Sequence, residues 1–238
     1  MSDDRLHIGQ HISAEFNREL DEVRAKTMRM GGLVEEQCRN ALTALLTGDI
    51  ELGERVAASD GPVNDLELEI SAECTDILAR RQPAASDLRM VLSLIRLTAD
   101  LERVGDEAEK IGRLAAQLGE QAGKQELLRS PKHLGEKAVA LLSGALDAFA
   151  RLDVHKAVEV AAADEDIDRE FEALTRLMLT YVMEDSHEVK AMLKVNWCAR
   201  ALERIGDHAV NICEETIFLV EGSDVRHLDI ADIRARFS

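Results

Sequence analysis

The hexapeptide Leu101-Glu-Arg-Val-Gly-Asp106 returns almost unchanged as Leu202-Glu-Arg-Ile-Gly-Asp207. It lies within a longer match. Leu94, Leu97, Leu101, Val104, Ala108, Ile111, Ala115 and Leu118 advance by alternating steps of three and four, the spacing of an apolar helix seam. An offset of 101 carries them onto Val195, Cys198, Leu202, Ile205, Ala209, Ile212, Thr216 and Leu219, and only Thr216 departs from small or apolar character. The chain reads as an internal duplication, which restricts it to folds built from two similar halves.

Each motif breaks a local rule. Gly105 and Gly206 stand inside strong helical patterns, where Gly costs about 1 kcal/mol against Ala. Gly at the same place in both halves points to a close approach by a neighbouring element. Glu102 and Asp106 are four apart and share a helix face, as do Glu203 and Asp207. Such pairs repel on an ordinary surface, so the plain alternative is a solvated charged face. Leu88, Leu92, Ile95 and Ala99 continue the stripe that carries Glu102 and Asp106. This predicts a helix packed on two sides, with its carboxylates at a second seam.

Aromatic residues are only 3% of the chain and prolines number three, which suits helices of Leu, Ala and Val. No alternating Val/Ile/Thr-rich run between turn signals predicts a sheet. The pattern predicts a first helix from about 13 to 47, a second from 49 to 81 with Pro62 as a kink or restart, and a third to 118. Ser86-Asp87 is the expected cap of the third. Residues 119–132 read as the linker. A fourth helix is expected over 131–151, a fifth from Asp153 and a sixth over 186–220. The fifth carries Ile167, Phe171, Leu174, Met178 and Tyr181 as its core face. These align with Val63, Glu67, Ile70, Cys74 and Ile77 at an offset of 104. The expectation is an all-α chain of six helices in two pseudo-repeated three-helix bundles, residues 1–122 and 123–238.

The balance of 29 basic against 46 acidic residues gives a net charge of −17, which disfavours nucleic acid and anionic lipid and favours cations or basic partners. The start lacks a signal-peptide pattern and no apolar run is long enough to insert into a membrane, so a cytoplasmic protein is expected. Cys38, Cys74, Cys198 and Cys213 are widely spaced and read as buried small residues.

Asp164 and Asp168 form a further pair at the start of the fifth helix's core pattern, where a bare carboxylate is costly. Their first-half equivalents are Asp60 and Asn64, and capping or plain exposure is the alternative for both pairs. Clustered carboxylates supply hard oxygen ligands suited to Mg, Ca, Mn or Fe(III). Arg103 and Arg204 are read as salt-bridge partners of nearby carboxylates or as anion contacts. His208 is read as a surface residue or a further ligand. Glu184-Asp-Ser-His187 fits the Glu-x-x-His pattern of di-iron bundles, but only once. No phosphate-binding loop, dinucleotide fingerprint, zinc-protease motif or nucleophile elbow occurs, so no catalytic residues are assigned.

The two Leu-Glu-Arg-[Val/Ile]-Gly-Asp copies, each in the last helix of a half, resemble the PhoU family of bacterial phosphate-uptake regulators. Asp207-His-Ala-Val-Asn-Ile212 extends the likeness. The resemblance implies duplicated three-helix bundles whose E/D-x-x-x-D motifs hold multinuclear metal clusters, with Fe, Zn, Mn or Mg as candidate ions. The implied ligands are Asp60, Glu102 and Asp106 in the first half, with Asn64 where an Asp is expected. In the second half they are Asp164, Asp168, Glu203 and Asp207. Pro62 and Lys110, the latter replacing Asn211, also depart from the pattern in the first half. Arg103, Arg204, Gly105 and Gly206 complete the motifs. The resemblance further implies a non-enzymatic negative regulator of the phosphate-starvation response, linking the ATPase subunit of a phosphate ABC transporter to a sensor histidine kinase, and a homodimer. A metal-dependent enzyme or a metal-storage bundle is the competing reading.

Overall fold

The computed structural model describes residues 14–119, 130–184 and 189–237. Among these residues the chain is helical, with no strand. The first half contains α1 (Ala14–Thr47), α2 (Ile50–Ala57), α3 (Gly61–Arg81) and α4 (Ala85–Leu118). The second contains α5 (Pro131–Arg151), α6 (Val154–Ala162), α7 (Asp164–Glu184) and α8 (Val189–Glu221), followed by α9 (Ile230–Phe237). The order repeats helix for helix. The expected boundary between residues 122 and 123 lies outside the described residues.

The predicted second helix is two helices, and so is the predicted fifth. Pro62 is tolerated because it stands in the first turn of α3, where its missing N–H has no partner to lose. Asp49 caps α2 by accepting from Leu52 N at 2.9 Å, and Asp153 caps α6 in the same way from Lys156 N. The stop before each cap uses the left-handed region. Gly48 takes φ +72°, and its equivalent Leu152 is held at φ +55° without the freedom of glycine. The expected Ser86-Asp87 cap is not formed. Ala84 occupies the cap position without a side-chain hydrogen bond, and Asp87 is turned into the protein.

The apolar seam is buried as its spacing requires. All eight α4 positions and all eight α8 positions are buried, Thr216 included, whose hydroxyl donates to Ile212 O at 2.9 Å. The four cysteines are buried too, and burial pushes the Cys38 and Cys198 thiols up to about 12, leaving them unreactive. On the predicted core face Phe171 is only half-buried, and Tyr181 departs furthest: it is 39% exposed, whereas its first-half equivalent Ile77 is 2% exposed. The cause is helix length. The 34-residue α1 extends over the end of α3, placing Phe16, Leu20 and Val23 in the core, whereas α5 has 21 residues.

The two halves share one continuous hydrophobic core. Helices α1 and α5 run antiparallel, with Arg24 donating to Ala150 O at 2.7 Å. Along this junction a Cβ on Gly31 would lie 2.8 Å from Leu146 Cδ2, and its equivalent Gly135 receives Leu42 in the same way. Helices α4 and α8 also run antiparallel. Arg96 pairs with Glu215 at 3.1 Å, Asn211 donates to Asp100 Oδ1 at 3.0 Å, Arg204 pairs with Glu107, and Lys194 donates to Gln117 O at 3.3 Å. The reciprocal contacts relate the halves by an approximate twofold.

Candidate functional site

The site is built where each motif helix meets the break in its half's outer helix. In the second half, α7 begins at Asp164, directly beside the motif of α8. A Cβ on Gly206 would stand 2.8 Å from Asp164 Oδ1 and 3.1 Å from Ile167 Cδ1. The glycine therefore makes room for the carboxylate. Burial raises the Asp164 carboxyl to about 7, and Asp168, Asp207 and Glu203 add repulsion. Glu203 and Asp207 are raised chiefly by burial as well, then by Asp207 and Asp168 respectively. Asp164 thus lies against the α8 motif at Gly206, with Glu203 and Asp207 near enough to be felt through their charge, while Asp168 and Asp207 are themselves exposed. Glu203 is 7% exposed; its Oε1 accepts from Arg200 at 2.6 Å, while its buried Oε2 has no hydrogen-bond partner. The buried Asp164 Oδ1 has none either.

The first half repeats the arrangement with altered chemistry. Asp60 occupies the cap position of α3 but makes no side-chain cap, so the capping alternative is not realised. Its Oδ2 accepts from Asn64 Nδ2, and its buried Oδ1 has no partner. Glu102 is raised by burial and then by Asp106, Glu67 and Asp60; Asp106 is raised by burial and then by Asp60 and Glu107. Glu67 joins this cluster unannounced, because its second-half equivalent is Phe171. Gly105 is looser than Gly206: a Cβ there would meet Gln37 Oε1 at 3.5 Å and Val63 Cγ1 at 3.6 Å.

The stripe from Leu88 through Ala99 is not a second core seam. Leu88 and Ala99 are exposed, and Leu92 and Ile95 are only half-buried. The second packed side of α4 is the polar row Arg96, Asp100 and Glu107, which α8 covers with matching groups. His208 belongs to that row. It is 6% exposed, and its Nδ1 lies 2.9 Å from Asp100 Oδ1, so the surface reading of this residue is corrected. Apolar periodicity could not reveal a seam made of complementary polar groups. Arg204 also crosses the junction, pairing with Glu107 of the first half, while Arg103 is exposed. Lys110 pairs with Glu107 at 3.3 Å. Of the Glu-x-x-His pattern, Glu184 ends α7, and Asp185, Ser186 and His187 lie outside the described residues.

The orphaned buried oxygens, the mutually repelling carboxylates and the all-oxygen donor set fit a hard cation in chemistry. Among the described residues, no group of three or more His, Cys, Asp or Glu side chains is gathered closely enough to hold one as it stands. No described helix is long and apolar enough to cross a membrane.

Taken together, the duplicated helical bundle and its paired carboxylate motifs define an all-α protein built of two repeated helical-bundle domains. The model of the PhoU domain matches residues 27–115 and again residues 132–216. The chain belongs to the PhoU family. It is 48% identical over 225 residues to the phosphate-specific transport system accessory protein PhoU homolog of Pseudomonas putida, covering 94% of this chain and 88% of that protein. To the phosphate-specific transport system accessory protein PhoU of Escherichia coli (strain K12) it is 44% identical, covering 94% and 93%. The crystal structure of PhoU from Pseudomonas aeruginosa superposes with a TM-score of 0.84 at 45% identity, covering 87% of this chain and all of that one. The phosphate transport system regulatory protein PhoU from Streptococcus pneumoniae gives 0.80 at 31% identity, covering 88% and 99%.

Proposed function

We propose that this protein is a non-catalytic accessory of a phosphate-specific transport system and a negative regulator of the phosphate-starvation response. It acts as a cytoplasmic homodimeric adaptor between the ATPase subunit of the transporter and a sensor histidine kinase. The observation that carries this reading is similarity over 94% of the chain to relatives named as phosphate-specific transport system accessory proteins. The test is deletion of its gene in phosphate-replete cells. Phosphate-starvation genes should switch on, and the wild-type chain should restore repression. Continued repression after deletion would overturn the role. Co-purification with the ATPase subunit and with the kinase tests the adaptor surfaces separately.

We also propose that Asp164, Asp168, Glu203 and Asp207 hold a divalent or trivalent cation, with Asp60, Glu102, Asp106 and Asn64 as a weaker first-half counterpart. The bound ion would neutralise the crowded carboxylates and join α7 to α8. The unpartnered Glu203 Oε2 supports this reading. Elemental analysis of Glu203→Ala combined with Asp207→Ala should show metal lost from the second half. Full retention would remove these residues as ligands. Loss of metal with repression intact would place the function on an adaptor surface.

A further inference from the structure

The last turns of α7 and the first turns of α8 form one surface. Phe171, Thr175, Leu179 and Met183 recur every four residues along one side of α7. Leu193, Asn196, Trp197 and Arg200 share a side of α8 in the same way. Two contacts set these sides against each other. Thr175 Oγ1 donates to Asn196 Oδ1 at 3.5 Å, and the Arg200 guanidinium stands 5.6 Å from the centre of the Phe171 ring. The same antiparallel register brings Leu179 level with Leu193. The large apolar side chains here are open: Leu179 is 62% exposed, Met183 88%, Leu193 45% and Trp197, the chain's one tryptophan, 49%. The repeat does not require them, since the first half has Thr75, Ala79, Leu92 and Arg96 at the equivalent places.

Charge sets this surface apart as well. Residues 173–183 of α7 include Arg176 and no acid, and residues 189–202 of α8 include Lys190, Lys194 and Arg200 and no acid. The matching part of α3 carries Glu69, Glu73 and Asp76, and the whole chain has 46 acidic residues and a net charge of −17. Arg176 and Arg200 pair with Glu172 and Glu203, so Lys190, exposed on the side of Leu193 and Trp197, and Lys194 set the sign of the surface. We propose that the α7–α8 surface around Leu179, Leu193 and Trp197 docks an acidic amphipathic helix of a partner protein. The proposal rests on the adaptor reading above and gives it a contact surface. An acidic helix is repelled by most of this molecule and steered to the stretch without acids, whereas a basic partner is drawn elsewhere. The helix lays its apolar side along Leu179, Met183, Leu193 and Trp197, and its flanking carboxylates meet Lys190 and Lys194. Trp, Met and Arg without Asp or Glu is the composition of an interface centre rather than of ordinary surface.

The test follows Trp197 emission as the full-length protein is titrated with the purified ATPase subunit and, separately, with the cytoplasmic part of the kinase. Trp197→Phe supplies the background of the partner's own tryptophans. Binding of one of them should move Trp197 emission to the blue, and its affinity should fall by about tenfold between low and high salt. Leu193→Ser combined with Trp197→Ser should weaken that binding by at least about thirtyfold, measured calorimetrically. Lys190→Glu, a change at an exposed side chain, should weaken it by about threefold to tenfold at low salt, and it keeps the test available if the double variant loses its helical circular dichroism. Binding with no shift in Trp197 emission, or full binding by the folded double variant, would overturn the surface. Binding unchanged by salt and by Lys190→Glu would overturn the acidic partner. A blue shift that grows with protein concentration alone would assign the surface to a second copy of this chain and overturn the proposal. Binding of neither protein by the wild type would overturn the adaptor reading and this proposal with it.

Discussion

Leu146 of α5 lies over Gly31 of α1, so close that a Cβ at residue 31 would stand 2.8 Å from its Cδ2. The pair is one half of a reciprocal contact, since Leu42 lies over Gly135. These glycines let the two halves approach at the α1–α5 junction. Gly53 and Gly112 do the same for α2 and α4, but there the obstruction is backbone. A Cβ on Gly53 would lie 2.7 Å from Gly112 O. Gly31→Ala should destabilise by about 1 kcal/mol, because a buried leucine must be displaced, and Gly53→Ala by about 2–3 kcal/mol, because a helix must shift. Denaturant melts would show the order, and a milder effect at Gly53 would contradict it.

The motif glycines should respond differently from each other. Gly105→Ala finds ordinary contact distances and gains helix propensity, so it should be neutral or stabilising by up to about 1 kcal/mol. Gly206→Ala should show no such gain, because the new methyl meets Asp164 and Ile167. Thermal melts of the two variants compare them directly. An equal rise in Tm for both would mean that Asp164 does not rest against Gly206.

The polar row between α4 and α8 should be costly to break. Asp100→Ala leaves buried His208 and half-buried Asn211 without the oxygen that both contact. A loss of about 2–3 kcal/mol is expected, with a clear coupling term to His208→Ala in a double-mutant cycle. Additive effects of the two substitutions would show that the contact is not a stabilising one.

Glu214 gives the protein a pH dependence. Burial raises its carboxyl to about 7, with Glu215 adding repulsion, while Arg226 acts in the opposite direction. A folded-state pKa above the unfolded value means that the native state holds the proton longer. Stability is then lost as pH rises from about 4.3, the unfolded value, towards 7, and the loss is constant above that. Glu214→Gln should therefore stabilise by on the order of 1 kcal/mol at pH 8 and have almost no effect at pH 4. Urea melts at both values would check the sign, and a gain confined to acid pH would reverse it.

The repeat, the buried seam and the helix starts at Asp49 and Asp153 were legible in the residues, because helix periodicity and stop signals are local rules, whereas the cap expected at Ser86-Asp87 did not form. So were the carboxylate pairs, since residues four apart must share a face. Less could be read where one helix covers another. Tyr181 has the sequence spacing of a core residue but is exposed, because coverage depends on how far α5 extends beyond it. His208 was misread because its partner Asp100 lies in the other half. Glu67 was passed over because the repeat places Phe171 at the equivalent position.

By itself, the sequence determined that the chain is helical and duplicated, with acidic pairs at matching places in each half. Those are consequences of period, spacing and composition, which act within a few turns of helix. Only the tertiary structure decided that α4 and α8 cross antiparallel, that Gly206 makes room for Asp164, and that Arg204 serves the other half's Glu107. Such relationships depend on which helix faces bury each other, and that is settled by packing across the whole chain rather than by any local run of residues.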